Sequence, residues 1–213
     1  CHLAGATDTA SDDSGLQPVY CLGYCDQSPV WMSPENYIVV GKAKIAPAAS
    51  SVRALAPVPI VTARLAKGDY SSLQKARAAG AYQALAAWLR KPLAQTGPTT
   101  GSSSLLDTVI RSGEQGRGGA GFLTGEKWRA TASIDSTDKV VIANGDEGDP
   151  GSYIDRLLLE YDPHAVLEGL ALCALAVGAT RGIVYVRSEY PLALRRVQQA
   201  VAEATAAGIL GPV

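Results

Sequence analysis

Residues 116–128 of the chain read GRGGAGFLTGEKW, and this stretch carries most of the information on fold and function. It holds five glycines, two cations and two aromatic residues within thirteen positions. Glycines at this density let backbone amides close around a phosphate, because no side chain keeps the ligand away. Arg117 and Lys127 supply positive charge. Phe122 and Trp128 supply flat apolar surface. The set suits a nucleotide or a flavin; a flexible surface loop is the alternative.

The same stretch satisfies the dinucleotide-binding pattern G-x-G-x-x-G through Gly116, Gly118 and Gly121. That fingerprint requires a strand directly before the glycines and a helix directly after them. Residues 105–112 instead show the apolar spacing of a helix. Gly113 is typical of a helix end. The ordinary Rossmann fingerprint is therefore a weak match.

A second informative stretch follows a predicted strand. Residues 139–143 are short, apolar and rich in β-branched side chains, as is typical of a buried strand, and residues 144–151 then read NGDEGDPG. Ligands of open α/β sheets bind beyond the carboxyl ends of strands. The polar side chains here can hydrogen-bond a flavin or nicotinamide edge or a ribose; they are Asn144, Asp146, Glu147 and Asp149. The alternatives are a hydrated acidic turn and a divalent-metal loop, although the spacing fails the calcium-loop register.

Four stretches, taken in order, resemble one known family. GRGGAGFLTGEKW is followed by NGDEGDPGSYIDRLLLE, DPHAVLEG and VYVRSEYP. Together they resemble the flavin-binding (51 kDa-type) subunit of NADH dehydrogenases. That family includes the FMN subunit of respiratory NADH:quinone oxidoreductase, the diaphorase subunit of NAD-reducing hydrogenases and the beta subunit of NAD-dependent formate dehydrogenases. The resemblance extends from about Pro59 to the end of the chain.

The resemblance implies an oxidoreductase subunit that binds FMN and NAD(H) and needs no acid or base side chain for hydride transfer. In the family, the residue at the position of Phe122 stacks on adenine, and the lysine at the position of Lys127 contacts the phosphate side of FMN. Asp149 matches an acid that holds the nicotinamide end. The implied cofactor-binding residues are Gly116, Arg117, Gly118, Gly119, Ala120, Gly121, Phe122, Thr124, Lys127, Asn144, Asp146, Glu147 and Asp149.

The amino-terminal third contains a different motif. Cys21 and Cys25 form a C-x3-C pair, and the chain opens on CHLAGA with Cys1. Two thiolates on a tight loop can bind a metal or an iron–sulfur cluster; a disulfide and a zinc site are alternatives. CHLAGA and VYCLGYCDQSPV resemble the thioredoxin-like [2Fe-2S] domain that accompanies these flavoproteins, which implies that the three cysteines are cluster ligands. Cys173, among apolar neighbours, is expected to be an inert core residue.

The fold class expected from these motifs is α/β. We predict a layered, Rossmann-like FMN-binding domain with a mainly parallel sheet, preceded by a partial thioredoxin-like ferredoxin domain. The predicted divisions are a thioredoxin-like [2Fe-2S] domain over 1–45, a linker over 46–58 and the N-terminal part of the FMN/NADH-binding domain over 59–213. The family resemblance implies that the rest of the flavin domain and a [4Fe-4S] domain belong to a longer protein.

The spacing of apolar residues and the positions of glycine and proline predict the helices and strands of the flavin domain. Strands are expected over 60–64, 139–143 and 182–187, the last two of them buried, and helices over 72–91, 105–112, from Pro163, and over 191–207. Arg156 and Glu160 are four residues apart and are predicted to form a solvated helix pair. Arg187, Glu189 and Tyr190 follow a strand end. We favour a structural role for them, or a role in supporting residues that bind a ligand, over direct contact with a ligand.

The composition of the chain limits the classes of function that fit it. The chain has 213 residues and a formal net charge of −1, so nothing favours nucleic acid or a membrane surface. The longest apolar stretch, 165–179, is too short and interrupted to span a bilayer. The cysteine chemistry favours the cytoplasm, or the cytoplasmic face of a membrane complex. The expected partners are NADH and the other iron–sulfur and catalytic subunits of a complex. A non-catalytic electron-transfer or assembly module that binds no FMN is the alternative.

Overall fold

The structure is a computed structural model, and it describes residues 30–32, 38–40, 43–44, 57–98, 104–117, 119–149 and 152–211. The elements in chain order are β1 (Val30–Met32), β2 (Ile38–Val40), β3 (Ala43–Lys44), α1 (Leu73–Ala78), α2 (Gln83–Leu89), α3 (Leu93–Thr96), α4 (Leu105–Ser112), α5 (Thr124–Ala132), β4 (Val140–Gly145), α6 (Ile154–Tyr161), α7 (Pro163–Val177), β5 (Arg181–Val186) and α8 (Pro191–Ala206).

The described residues fall into two compact units. The first comprises the described parts of Cys1–Leu73, Asn144–Pro163 and Val186–Val213, and the second comprises those of Gln74–Ala143 and His164–Tyr185. In the first unit, β1, β2 and β3 form an antiparallel sheet in which Val30 lies opposite Val40. The predicted cluster ligands Cys1, Cys21 and Cys25, and most of the predicted linker, lie outside the described residues.

Strands β4 and β5 form a small parallel sheet, which confirms the α/β class. The prediction that both strands are buried is wrong. In β5, Ile183 and Tyr185 are 49% and 53% exposed and alternate with the half-buried Val184 and Val186. Successive side chains of a strand point to opposite faces, so one face of this strand remains exposed among the described residues. An apolar run alone does not reveal which face another element covers.

Helix α4 forms where the sequence predicts it. The Ser104 hydroxyl oxygen accepts a hydrogen bond from the Asp107 N–H at 3.0 Å, which satisfies a donor of the first turn. Gly113 ends the helix in the left-handed conformation, with φ of 64°. Local signals at both ends of the helix therefore suffice to fix its bounds.

The predicted single helix over 72–91 is wrong, because the chain forms α1 and α2 with a turn between them. Gly80 has φ of 94° and Tyr82 has φ of 66°, so the backbone leaves the helical region at both. The Glu168 carboxylate, on α7, accepts hydrogen bonds from the Tyr82 N–H at 2.7 Å and the Leu85 N–H at 3.1 Å. A remote carboxylate thus caps α2, and apolar spacing cannot reveal that.

Lys139 joins two helix ends within the second unit. Its ammonium donates to the carbonyl oxygens of Ala132 and Val177, the last residues of α5 and α7, at 3.1 Å each. The lysine is 8% exposed. A cation at the carboxyl end of a helix satisfies orphan carbonyls and interacts favourably with the helix dipole, and this one serves two helices. The start of β4 is fixed in this way.

In the first unit, α6 packs against α8. Arg156 and Glu160 on α6 form an ion pair at 3.0 Å whose side chains are only 11% and 4% exposed. The predicted solvated pair is therefore wrong, because its helix face is covered by packing that the spacing alone does not show. Burial raises the pKa of Glu160, and the attraction of Arg156 opposes that shift.

The strand predicted over 60–64 is also wrong, because this segment forms turns. The Lys67 N–H donates to the Arg64 carbonyl at 2.9 Å, as in a turn rather than a ladder. Arg64 pairs with the buried Asp162 at 3.0 Å and lies over the Tyr70 ring, 4.9 Å from its centroid. β-branched residues favour a strand only where a partner strand is available. The helix predicted from Pro163 begins there, and the helix predicted over 191–207 is α8, with Gly208 in the left-handed conformation beyond its end.

Candidate functional site

The glycine loop, residues 115–123, lies between α4 and α5. Gln115 and Leu123 form an isolated antiparallel bridge, and the Gly116 N–H donates to the Phe122 carbonyl at 2.9 Å. The N–H of Thr124, the first residue of α5, donates to the Glu114 carbonyl at 2.8 Å. Main-chain hydrogen bonds therefore close the base of the loop. Gly118 lies outside the described residues.

The described glycines near the tip are required by backbone conformation. Gly119 has φ of 112° and Gly121 has φ of 63°, a region that side chains disfavour. Apart from the adjacent residues of the chain, a Cβ at Gly119 would have no atom of the described residues within 4 Å, and one at Gly121 would meet only the Gln115 Oε1, at 3.6 Å. The main chain is therefore accessible at both glycines, and among the described residues only the Gln115 side chain comes near Gly121. That property fits a group that brings a phosphate and a flat ring close to the backbone.

Gly125 has a different function, which its sequence context does not reveal. A Cβ there would lie 2.6 Å from the Ile110 Cα and 2.9 Å from its nitrogen. Real Cβ atoms do not approach backbone so closely, so α4 and α5 pack at a distance that only glycine permits. The helices on both sides of the glycine loop are fixed to each other at this contact. Its position one residue into a helix gives no local signal.

The charged and aromatic residues of the glycine loop are exposed. The Phe122 side chain is 54% exposed, and the Lys127 ammonium lies 5.6 Å from the centroid of its ring. Arg117 pairs with Glu114 at 3.1 Å on the surface. An exposed ring beside a cation can stack on a planar group and contact an anionic one. The structure places the Lys127 ammonium beside the Phe122 ring; the contacts of both residues with a ligand stay a prediction.

The acidic loop, residues 144–149, begins at the carboxyl end of β4. The Asn144 Oδ1 accepts a hydrogen bond from the Asp146 N–H at 3.1 Å. Asn144, Asp146 and Asp149 are all exposed. Three polar side chains thus stand in solvent at a strand end, which is where ligands of open α/β sheets bind; their contact with a ligand stays a prediction.

Glu147 is engaged by the chain itself. Its Oε1 accepts hydrogen bonds from the Ser152 hydroxyl at 3.0 Å and the Asp155 N–H at 2.9 Å. Its Oε2 accepts from the Arg156 N–H and the Tyr190 hydroxyl, both at 3.1 Å. The carboxylate therefore caps the first turn of α6. Sequence reasoning missed this role because Glu147 stands seven residues before the helix; a contact between Glu147 and a flavin stays a prediction.

The residues after β5 complete this network. The Arg187 Nη1 donates to the Glu147 carbonyl at 3.0 Å, and the Arg187 Nε donates to the Glu189 Oε2 at 3.3 Å. Guanidinium groups of Arg156 and Arg187 lie 5.8 and 5.2 Å from the Tyr190 ring centroid. The structural role predicted for Arg187, Glu189 and Tyr190 is confirmed by these contacts.

Burial and charge shift the acidities of this network. Burial, together with the Glu147 carboxylate, raises the pKa of Tyr190 to about 12. Burial and the same carboxylate raise the pKa of Asp155. Burial also opposes ionisation of Glu189, but hydrogen bonds from Arg187 and Ser188 outweigh it and lower the pKa of that carboxyl. Glu189 is thus held as an anion against the Arg187 cation.

The candidate metal ligands and the one cysteine of the described residues, Cys173, concern a different kind of chemistry. These ranges contain no group of three or more His, Cys, Asp or Glu residues that could hold a metal ion. Cys173 is half-buried, and burial raises the pKa of its thiol to about 11, so it is protonated at neutral pH, as expected of an inert cysteine. None of the described helices is both long and apolar enough to cross a bilayer.

Comparison with known proteins places these loops in a family context. Residues 109–210 match the family model of the Nuo51 FMN-binding domain. The chain is 49% identical over 109 residues to NADP-reducing hydrogenase subunit HndC of Solidesulfovibrio fructosivorans, covering 51% of this chain and 22% of that protein. It is 40% identical over 153 residues to an NADH-quinone oxidoreductase subunit of Rhizobium meliloti, covering 72% and 34%. It is 42% identical over 107 residues to NAD-reducing hydrogenase HoxS subunit alpha of Cupriavidus necator, covering 50% and 18%.

A crystal structure of NAD+-reducing [NiFe]-hydrogenase in the air-oxidized state superposes with a TM-score of 0.48 at 32% identity, covering 59% of this chain and 23% of that one. The chain spans between 18% and 34% of the length of the three curated relatives. The matched segment contains both the glycine loop and the acidic loop. Over residues 109–210, which include both loops, the chain is similar to the Nuo51 FMN-binding domain.

Proposed function

We propose that this chain is the FMN- and NAD(H)-binding part of an oxidoreductase subunit that passes electrons between NAD(H), FMN and iron–sulfur clusters in a multisubunit complex. The match of residues 109–210 to the Nuo51 FMN-binding domain carries the proposal. The names of the relatives, which are NADH-quinone oxidoreductase and NAD- or NADP-reducing hydrogenase subunits, support it. The proposed setting is a complex of the formate dehydrogenase, hydrogenase or respiratory type, with iron–sulfur and catalytic subunits as partners.

The glycine loop supplies the first set of proposed contacts. Its main chain approaches phosphate and ring closely because no Cβ stands at Gly119 or Gly121. Lys127 offers a positive charge to the FMN phosphate, and the exposed Phe122 ring stacks on the adenine of NADH. This set also includes Gly116, Arg117, Gly118, Ala120 and Thr124.

The acidic loop supplies the second set. The exposed Asn144 and Asp146 side chains can hydrogen-bond the polar edge of a flavin, and Asp149 can accept from the nicotinamide end of NADH. Glu147 belongs to the same set by its place in the loop. Its carboxylate caps α6, so it supports the loop from the protein side. When bound, FMN supplies the change between two-electron and one-electron chemistry. The side chains of both loops bind and orient, and none has to move a proton.

The cysteines extend the proposal to a cluster. Cys1, Cys21 and Cys25 are the proposed ligands of a [2Fe-2S] cluster, on the strength of their spacing and of the resemblance to thioredoxin-like ferredoxin domains. A [4Fe-4S] cluster would belong to a further part of a longer protein. Thiolate ligands are stable in a reducing compartment, so the proposed location is the cytoplasm or the cytoplasmic face of a membrane complex.

The test uses a matched pair of glycine variants of the full chain. Gly121 and Gly113 have φ of 63° and 64°, so alanine at either position carries the same backbone cost of roughly 1–2 kcal/mol. Only Gly121 lies in the glycine loop. After incubation with FMN and gel filtration, we expect a flavin absorption spectrum and NADH–ferricyanide activity from the wild type and from Gly113→Ala. We expect Gly121→Ala to lose at least tenfold in FMN affinity, a loss that corresponds to about 1.4 kcal/mol.

Two outcomes would count against the proposal. If Gly121→Ala bound FMN as tightly as Gly113→Ala does, the glycine loop would not be where FMN binds. A folded wild-type chain that neither retains FMN nor reduces ferricyanide with NADH would favour the alternative, a non-catalytic electron-transfer or assembly module. Iron and acid-labile sulfide measured on the same anaerobic sample test the cysteine assignment separately.

A further inference from the structure

Glu147 has a backbone conformation that requires support. Among the described residues, only Tyr82 and Glu147 combine a side chain with a positive φ, and Glu147 has φ of 45°. Left-handed backbone is unfavourable for such a residue and persists where the surroundings hold it. Glu147 stands between Asp146 and Asp149, so its conformation fixes the direction from which both carboxylates leave the main chain. Whatever holds Glu147 therefore also shapes the acidic loop.

Arg187 holds the main chain of Glu147. Its Nη1 donates to the Glu147 carbonyl oxygen at 3.0 Å, while its Nε binds the Glu189 carboxylate at 3.3 Å. The Arg187 and Glu189 side chains are 13% and 9% exposed. A buried, charged donor makes a strong hydrogen bond, and the ion pair keeps the guanidinium in one orientation. The Glu147 carbonyl thus accepts a hydrogen bond from a guanidinium that its ion pair with Glu189 holds in one orientation.

We infer that Arg187 is a positioning residue that acts through Glu147. It holds the acidic loop in the shape in which Asp146 and Asp149 face the bound nucleotides, so it contributes to nucleotide affinity without needing to touch the ligand. This inference rests on the proposed function. It adds a residue outside the acidic loop, 40 positions from Glu147, to those that determine binding.

The first measurement needs no ligand. Amide hydrogen–deuterium exchange of residues 146–149 is compared in the wild-type chain and in Arg187→Gln, Arg187→Lys and Arg181→Gln. Arg181 is the matched control, because it begins the strand that ends before Arg187 and pairs with the exposed Asp138. We expect exchange at least about tenfold faster in Arg187→Gln, partial rescue in Arg187→Lys, which keeps one charged donor, and no change in Arg181→Gln.

The second measurement separates binding from turnover. At saturating FMN, the KM for NADH in the ferricyanide assay should rise about tenfold in Arg187→Gln, while kcat stays within about twofold. The FMN dissociation constant, followed by flavin fluorescence, should rise in the same variant. Arg181→Gln should match the wild type in all three. A general loss of stability would lower the active fraction and hence the apparent kcat, and would not raise KM.

Arg187→Gln leaves Glu189 buried without its cation, so the double variant Arg187→Gln/Glu189→Gln is measured beside it. Unchanged exchange at residues 146–149 in both would overturn the inference. Faster exchange with an unchanged KM for NADH would overturn it too, because the loop would then not control binding. A wild-type chain that binds neither FMN nor NADH would instead overturn the proposed function, while the exchange rates would still decide whether Arg187 holds the loop.

Discussion

The two candidate ligand loops obtain their shapes in opposite ways. The glycine loop is shaped by missing side chains, with left-handed glycines at its tip and main-chain hydrogen bonds at its base. The acidic loop contains a left-handed residue that has a side chain, Glu147, and other side chains hold it in place. The first loop therefore depends on local sequence. The second depends on Arg187 and Tyr190, which are 40 and 43 positions away.

This difference predicts where each loop is vulnerable. Substitution within the glycine loop should change ligand binding more than stability, because its tip has few protein atoms around it. Substitution around the acidic loop should change both, because the groups that shape it also cap α6 and join it to the chain after β5.

The largest effect is expected outside the glycine loop, where α4 and α5 pack against each other at Gly125. Gly125→Ala places a Cβ 2.6 Å from the Ile110 Cα, so α4 and α5 must separate, and we expect a loss of about 3 kcal/mol or more in the free energy of unfolding, at the upper end of overpacking effects. Gly169 in α7 is the control, because it is also a helical glycine but has open space at its Cβ. Gly169→Ala should stabilise by about 0.5–1 kcal/mol. Urea unfolding measures both; equal effects would mean that the close contact does not exist in solution.

A smaller effect is expected when the acidic loop loses its internal support. Glu147→Ala removes the acceptor of four hydrogen bonds and uncaps α6, at a cost of about 2–3 kcal/mol. Asp146→Ala, at the neighbouring exposed carboxylate, should cost less than about 0.5 kcal/mol. Circular dichroism during urea unfolding compares the two. If the two variants were equally stable, Glu147 would not be the residue that supports this loop.

The smallest effect concerns the pH dependence of the acidic loop. Tyr190 keeps its proton up to about pH 12 in the folded chain, whereas the ordinary tyrosine pKa is 10.0. The unfolded state therefore loses this proton first, so the free energy of unfolding should fall as pH rises from about 10 to about 12. Tyr190→Phe should remove that part of the fall. Absorbance at the tyrosinate band gives the pKa by difference, and a Tyr190 midpoint near 10 would show that the hydroxyl is neither buried nor held against the Glu147 carboxylate in solution.

Local signals predicted the elements whose ends are capped locally. Helix α4 has its Ser104 cap and its Gly113 stop within ten residues, and both are visible in the sequence. The glycine loop was recognisable for the same reason, because glycine density needs no knowledge of the rest of the chain. The order of strands and helices likewise indicated the α/β class.

The wrong predictions concern features that depend on residues distant in the sequence. The break between α1 and α2 is capped by Glu168, which lies 86 positions after Tyr82. The Arg156–Glu160 pair is buried by packing of α6 that spacing does not encode. The sequence suggests that the Glu147 carboxylate is able to contact a ligand, yet in the structure it accepts hydrogen bonds from four donors of the chain itself. In the candidate site, the sequence predicts which residues bind the ligand, and the structure separates the exposed acids from the one that supports the loop.

The Glu168 contact also bears on how the chain is made. Synthesis proceeds from the amino terminus, so the turn at Tyr82 emerges from the ribosome long before the carboxylate that completes it. Helices α1 and α2 are short, and short helices are marginal in water without tertiary partners. Until α7 has been translated, this part of the nascent protein has no permanent partner for its exposed amides. The amides of Tyr82 and Leu85 are therefore expected to become protected from hydrogen exchange only after α7 has been synthesised.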